Sequence, residues 1–195
     1  MSFKTSLISL LSVVALAVAA TAQADWTLDN DNSSLNFVST KAGKVAEVHS
    51  FGTLSGKVDK NGYAEIAIDL ASVNTNIEIR DERMREYLFE TDRFALAVIT
   101  AQLDTRTLSG LEAGTSATMS IEGELTLHGK SQPVTLPISA YRLDDNTMLV
   151  ISSQPFVINA DSFELAAGVE KLREIAGLPS ISTAVPVSFR LSFTR

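Results

Sequence analysis

From Tyr63 to Leu70 the chain alternates: Ala64, Ile66, Ile68 and Leu70 fall on one side of an extended backbone, Tyr63, Glu65, Ala67 and Asp69 on the other. A period of two with one apolar set predicts a half-buried strand of an antiparallel sheet. The pattern returns at greater length further on. Ala117, Met119, Ile121, Gly123, Leu125 and Leu127 oppose Thr118, Ser120, Glu122, Glu124, Thr126 and His128. Val134 to Ala140 reads as the returning strand, and Met148 to Val157 as another. Val185 to Phe193 places five apolar residues on one face of a last strand. Near the start, Trp26 to Asp29 reads as a strand, Asn30 to Ser33 as a turn, and Leu35 and Phe37 as the next strand. Val45 to Val58 holds one or two strands bent at Gly52 and Gly56. Lys60-Asn61-Gly62, Gly110 to Gly114, Gly129 to Pro133 and Asp144-Asp145-Asn146 supply turns between them.

Two stretches break the alternation. Between Ser72 and Phe94 the apolar spacing becomes helical, with Met84 and Leu88 four apart and Ile77 two turns before Met84. Later, Asp161 and Glu164 have capping-box spacing, and Leu165, Val169, Leu172 and Ile175 form one stripe that Gly177 and Pro179 terminate. About eight one-faced strands joined by short turns predict an all-β fold, with an eight-stranded antiparallel barrel favoured over a sandwich and two short helices at the barrel ends. Such a barrel either fills its interior with side chains or holds one small ligand.

Composition narrows this further. Lys4, the apolar run from Leu7 to Ala20 and Ala22-Gln23-Ala24 predict a cleavable signal peptide over residues 1–24, with Asp25 as the mature start. No Cys follows the run, and no second run is long enough to span a bilayer. An exported protein is expected, periplasmic in a Gram-negative cell. Residues 25–195 suit one domain. The chain has no Cys, which removes disulfides, thiolate metal sites and thiol catalysis. A formal net charge of −7 without a basic cluster makes nucleic acid and anionic membranes poor partners.

Candidate chemistry is sparse. His49 and His128 lie far apart, and no ligand spacing around them predicts a metal. No Gly-x-Ser-x-Gly elbow or phosphate-binding glycine loop is present. Arg80-Asp81 reads either as an ion pair tethering the first helix to the barrel mouth or, for Arg80, as a contact to a ligand's polar head. Leu96 to Leu103, apolar on both faces, offers an interaction patch or a homodimer surface.

Several motifs, in order, resemble the YceI-like family of polyisoprenoid-binding proteins across nearly all of residues 25–195. They are Trp26-Thr27-Leu28-Asp29 with Ser34-Leu35-Asn36-Phe37, and Ser72-Val73-Asn74-Thr75 with Arg80-Asp81, Met84-Arg85 and Leu88-Phe89. The last is Gly123-Glu124-Leu125-Thr126-Leu127-His128-Gly129 with Pro133-Val134. Two departures mark a distinct branch: Ala95, where the family has Pro, follows Phe94, and Asn159 to Ser182 carries a longer helix. The resemblance implies an extended lipocalin-like barrel whose apolar pore holds an isoprenoid lipid or quinone for transport or storage, with no cofactor and no catalysis. Candidate pore residues are Phe37, Phe51, Ile66, Ile68, Met84, Leu88, Phe89, Phe94, Met119, Ile121, Leu125, Phe163, Leu165 and Phe189. Two other readings stand beside it. One is an enzyme using His49, His128 or Asp81 as acid or base; the other is a barrel filled by its own side chains that serves as an interaction module.

Overall fold

Residues that alternate along the chain become the two sides of a wall in the computed structural model, which describes residues 25–195. The signal peptide expected over residues 1–24 lies outside the described residues. The strands are β1 (Trp26–Lys41), β2 (Val45–Phe51), β3 (Leu54–Val58), β4 (Tyr63–Asp69), β5 (Val73–Asn74) and β6 (Leu96–Gln102). They continue with β7 (Ser116–Leu127), β8 (Lys130–Arg142), β9 (Thr147–Ser152), β10 (Phe156–Asn159) and β11 (Ala184–Thr194). Eight of them close an antiparallel ring in the order β1, β3, β4, β6, β7, β8, β9, β11, and β11 pairs back onto β1. The expected eight-stranded barrel is the observed fold. At one end, here the upper end, β2 and β5 extend the wall beside β1, and β10 extends it beside β11.

Three α-helices accompany the strands: α1 (Glu78–Arg83), α2 (Thr105–Ser109) and α3 (Ala166–Ile175). The short α2 has no apolar stripe in the sequence to announce it; Asp104 caps it by accepting from the Arg106 N–H at 2.9 Å. Helix α1 is shorter than the stretch from Ser72 to Phe94. Val73 and Asn74 pair with Phe51 and Ser50, and the helix starts only at Glu78. Its last turn, Met84–Leu88, widens into a π turn closed by the Phe89 N–H donating to the Met84 carbonyl at 2.9 Å. Met84 is buried, but Ile77 is half exposed and does not share its face.

Four local expectations are corrected. Asn30 to Ser33 does not turn. The Asp29 carboxylate accepts from the N–H groups of Asp31 and Asn32, which satisfies them locally, and β1 runs on through a register shift against β11. The turn placed at Gly129 to Pro133 is only His128-Gly129. Both residues have positive φ, 51° and 72°, and Leu127 pairs with Lys130 in a two-residue hairpin. Pro133 lies within β8, above the stretch that pairs with β9, where its missing N–H costs no second ladder bond. The segment Met148 to Val157 divides into β9 and β10, which pair with different parts of β11. No capping box forms at Asp161 and Glu164, since Asn159 caps a 3₁₀ turn over Ala160–Phe163 and Glu164 adopts φ 57°. The stop at Gly177 is as expected: Gly177, at φ 62°, donates to Glu174 and Leu178 donates to Arg173, closing the helix in a Schellman arrangement.

Candidate functional site

Alternation decides which side chains the barrel turns inward. The inward set of β4 is Ala64, Ile66 and Ile68; that of β6 is Ala97, Ile99 and Ala101. On β7 it includes Met119, Ile121, Leu125 and Leu127, and on β11 Val185, Val187, Phe189, Leu191 and Phe193. These residues do not meet at the centre. They line two cavities, an upper one of about 140 Å³ and a lower one of about 460 Å³.

The cavities are stacked as two storeys within the barrel, because the same strands line both. Ile68, Ile99, Leu125 and Val187 serve the upper storey; Ile66, Ala101, Ile121 and Phe189 serve the lower. Phe156, on the upper wall, stands 6.1 Å from Phe189, on the lower, centroid to centroid. Every residue of the upper wall is apolar. The lower cavity is apolar except along one seam, where Gln102, Asp104 and Thr107 face Ser120 and Glu122. The seam follows from the register. β6 pairs only with Gly123 to Thr126 of β7, so Ser116 to Glu122 have β8 as their one strand neighbour. Exposed polar residues on both sides of this gap make it an opening of the lower cavity to solvent.

Helical segments cover part of the upper end. The π turn contributes Leu88 and, at its end, Phe89; α3 and its approach contribute Val169 and Leu165. Gly168 lets α3 lie directly on the π turn, since a Cβ there would stand 2.5 Å from the Tyr87 carbonyl oxygen. His128 clamps the same end. Its Nε2 lies 2.8 Å from Glu90 Oε2, its Nδ1 lies 3.3 Å from the Phe163 carbonyl, and its ring packs on Phe94 at 4.4 Å. The His128 hydrogen bond, aided by Arg93, holds the Glu90 carboxyl below the usual carboxylate range.

Of the candidate pore residues, Phe37, Phe51, Ile68, Leu88, Phe89, Leu125 and Leu165 stand on the upper wall. Ile66, Met119, Ile121 and Phe189 stand on the lower. Met84, Phe94 and Phe163 stand on neither: Met84 and Phe163 are core beneath the cap, and Phe94 backs His128. Pattern reading passed over Leu127, Val187 and Leu191, although each lies on the inward face of a strand whose alternation was legible, and over Ile99, whose strand is apolar on both faces in the sequence. It also passed over Phe156 and Ile158, which keep the parity of the inward-facing Met148 and Val150 across the break between β9 and β10.

Arg80 does not pair with Asp81. It reaches Glu47 on β2 at 2.6 Å and the Thr75 carbonyl at 2.7 Å, while Asp81 accepts from the Thr75 N–H at 2.8 Å. Glu47 also meets Lys41, and that hydrogen bond, followed by Arg80, holds its carboxyl below the usual range. His49 Nε2 lies 2.9 Å from Ser39 Oγ, yet the nearest carboxylate, Glu47, approaches the same nitrogen at 4.0 Å. A serine–histidine–acid relay needs the acid on the other nitrogen. Among the described residues no group of three or more His, Cys, Asp or Glu is placed to hold a metal. Leu96 is half exposed, but Ala97 is buried and Val98 to Ala101 are half-buried between β4 and β7.

Fold and lumen together define a closed antiparallel β-barrel with a hollow, apolar interior. The chain belongs to the YceI-like family: the YceI-like domain matches residues 26–193. It is similar to a polyisoprenoid binding domain from Saccharophagus degradans implicated in plant cell wall breakdown, with 40% identity and a TM-score of 0.84. That match covers 87% of this chain and 97% of the other. BcnA of Burkholderia cenocepacia shares the fold at 20% identity and a TM-score of 0.66, covering 85% of this chain and 98% of that one. The YCEI protein of Campylobacter jejuni does so at 14% identity and 0.54, covering 75% and 84%. No curated protein matches the chain.

Proposed function

We propose that this protein holds a long-chain isoprenoid, or an amphiphilic lipid of similar shape, inside the barrel and carries or stores it in the periplasm without chemical change. The observation that carries the reading is the pair of cavities stacked inside the barrel, the upper one walled by apolar residues alone and the lower one apolar except at one polar seam. A lower cavity of about 460 Å³ falls within the size of ordinary ligand pockets. A chain stripped of polar atoms can be held by burial alone, each CH₂ contributing about 0.8 kcal/mol. The polyisoprenoid binding domain that shares 40% identity supports the ligand class. The apolar run before Ala22-Gln23-Ala24 supports export.

Organic extraction of the purified protein, followed by mass spectrometry, tests this reading. A prenyl lipid in stoichiometric amount is expected. Preparations that repeatedly yield no lipid, and take up no octaprenol when it is offered, would overturn it.

A further inference from the structure

β6 parts from its two neighbours at different heights. On the β4 side the ladder reaches Tyr63 and Gln102, and the Leu103 N–H still donates to the Gly62 carbonyl at 2.8 Å. On the β7 side it stops at Ala101 and Gly123. The chain stays extended to Asp104, at φ −71° and ψ 113°, and only then coils into α2. Below Gly123, β7 runs on to Ser116 with one edge that no strand pairs among the described residues. An edge of this kind is a template for one more strand.

The strand that fits this edge is the one that left it. Val98 faces Thr126, and Ala101 faces Gly123. The same register carried downward sets Asp104 against Ser120, Thr105 against Met119 and Thr107 against Ala117. Alternation then sorts the segment correctly. Leu103, Thr105 and Thr107 join the inward face and bring no charge to it. Gln102, Asp104 and Arg106 stay outside. Asp104 keeps Arg106, now 3.1 Å away, because residues two apart share a face of a strand. Across the seam, Gln102 and Asp104 already stand opposite Ser120 and Glu122.

The local structure resists weakly. α2 has 5 residues, fewer than a helix needs to hold by itself. Thr105 and Thr107 are β-branched and suit a strand better. The segment is anchored outside the gap at both ends, by Leu103 on Gly62 and by the Gly114 N–H on the Arg142 carbonyl at 2.7 Å. Zipping onto β7 leaves both anchors in place.

We propose that residues 102–107 are a closing strap: with lipid in the lower cavity, α2 unwinds and the strap adds to the free edge of β7, sealing the barrel over the chain. This rests on the reading that the lumen holds a lipid, and it assigns that lumen its gate. The drive comes from hydrocarbon beside the gap. An open seam leaves it facing water; a closed one buries it under Leu103, Thr105 and Thr107.

The chain has no Cys, so an engineered disulfide reads the strap directly. In D104C/S120C the two thiols stand opposite each other in the closed register. In D104C/S116C they stand four residues apart, about 13 Å along the strand and beyond disulfide reach. Each delipidated variant is oxidised mildly with and without octaprenol delivered from cyclodextrin, and bound octaprenol is measured by mass spectrometry. Octaprenol is expected to speed the D104C/S120C disulfide by at least about twofold, the smallest shift that one net hydrogen bond gives, and to leave D104C/S116C unchanged. In the unaltered protein, hydrogen exchange at the gap-facing amides of residues 116–122 should slow by the same factor or more, a readout that needs no variant to fold. Equal acceleration of both pairs, no acceleration with octaprenol bound, or edge amides that stay unprotected would each overturn the strap while leaving the lumen reading intact. Failure of octaprenol to bind would overturn both.

Discussion

His49 and Glu47 sit two residues apart on one strand face, and both have pKa values held below their ordinary ranges, for opposite reasons. Glu47 is favoured as an anion by Lys41 and Arg80; His49 is disfavoured as a cation by burial and by Arg80. The stability consequence has the same sign for both. In each case the unfolded chain takes up its proton at a higher pH than the native chain, so acidification favours unfolding. For His49 the loss begins as pH falls below the ordinary imidazole value of 6.5; for Glu47 and Glu90 it begins below the ordinary carboxylate value of 4.5. The urea midpoint is therefore expected to drop between about pH 7.5 and about pH 5, and H49F should flatten that drop. Denaturation series at several pH values check it; a midpoint that rises on acidification contradicts it. None of this was legible at Arg80-Asp81. Adjacent charges invite pairing on paper, but the partner that counts, Glu47, lies on β2, 33 positions away.

At the scale of elements, the cap depends on how closely α3 approaches the π turn after α1. Gly168 permits that approach, at the expense of a glycine inside a helix. Its replacement sets two effects against each other. Alanine improves helix propensity by about 1 kcal/mol. Its Cβ, however, would stand 2.5 Å from the Tyr87 carbonyl oxygen and 2.8 Å from Leu88 Cα. Overpacking against backbone costs about 1–3 kcal/mol, so G168A is expected to be net destabilising by urea denaturation. A stabilised variant would show that α3 does not press on the π turn. The seam between β6 and β7 is the other element-level device. S120W places a large ring at the lumen's opening and is expected to slow uptake of octaprenol severalfold, with little change in the final amount bound. Stopped-flow uptake separates the two quantities, and an unchanged rate would place the route elsewhere. The apolar stripe from Leu165 to Ile175 marked α3, although the capping-box spacing placed its start at Asp161, in a separate 3₁₀ turn, and the pattern could not show that α1 ends in a π turn or that β6 stops short of half of β7. Both depend on what packs against the element.

For the molecule as a whole, the storeys set how much chain fits. Ile121 lines the lower cavity four residues before Leu125, which lines the upper cavity from the same face of β7. Filling the lower storey with I121W should exclude part of a long chain and spare a short one. Each excluded CH₂ costs about 0.8 kcal/mol, so loss of even two carbons weakens binding roughly tenfold. Octaprenol affinity is expected to fall by at least about that factor while farnesol affinity holds. Equal losses for both would mean that chain length is not read there. Ile66, Met119, Ile121 and Phe189, the four side chains that could have plugged the centre, line the wall of a cavity instead.

The order of apolar and polar residues determined by itself which face of each strand turns inward, because a strand's side chains alternate whatever surrounds them. It narrowed the class to a barrel or a sandwich for the same reason, since eight one-faced strands must bury those faces against one another, and the pairing of β11 with β1 closed the barrel. Only the tertiary structure decided that the enclosed space stays hollow, since emptiness depends on ring size and stagger and not on any one strand. It also decided where the apolar wall gives way to His49, Glu47 and Arg80, because that boundary is drawn by residues from β1, β2 and α1 that meet only once the barrel has closed.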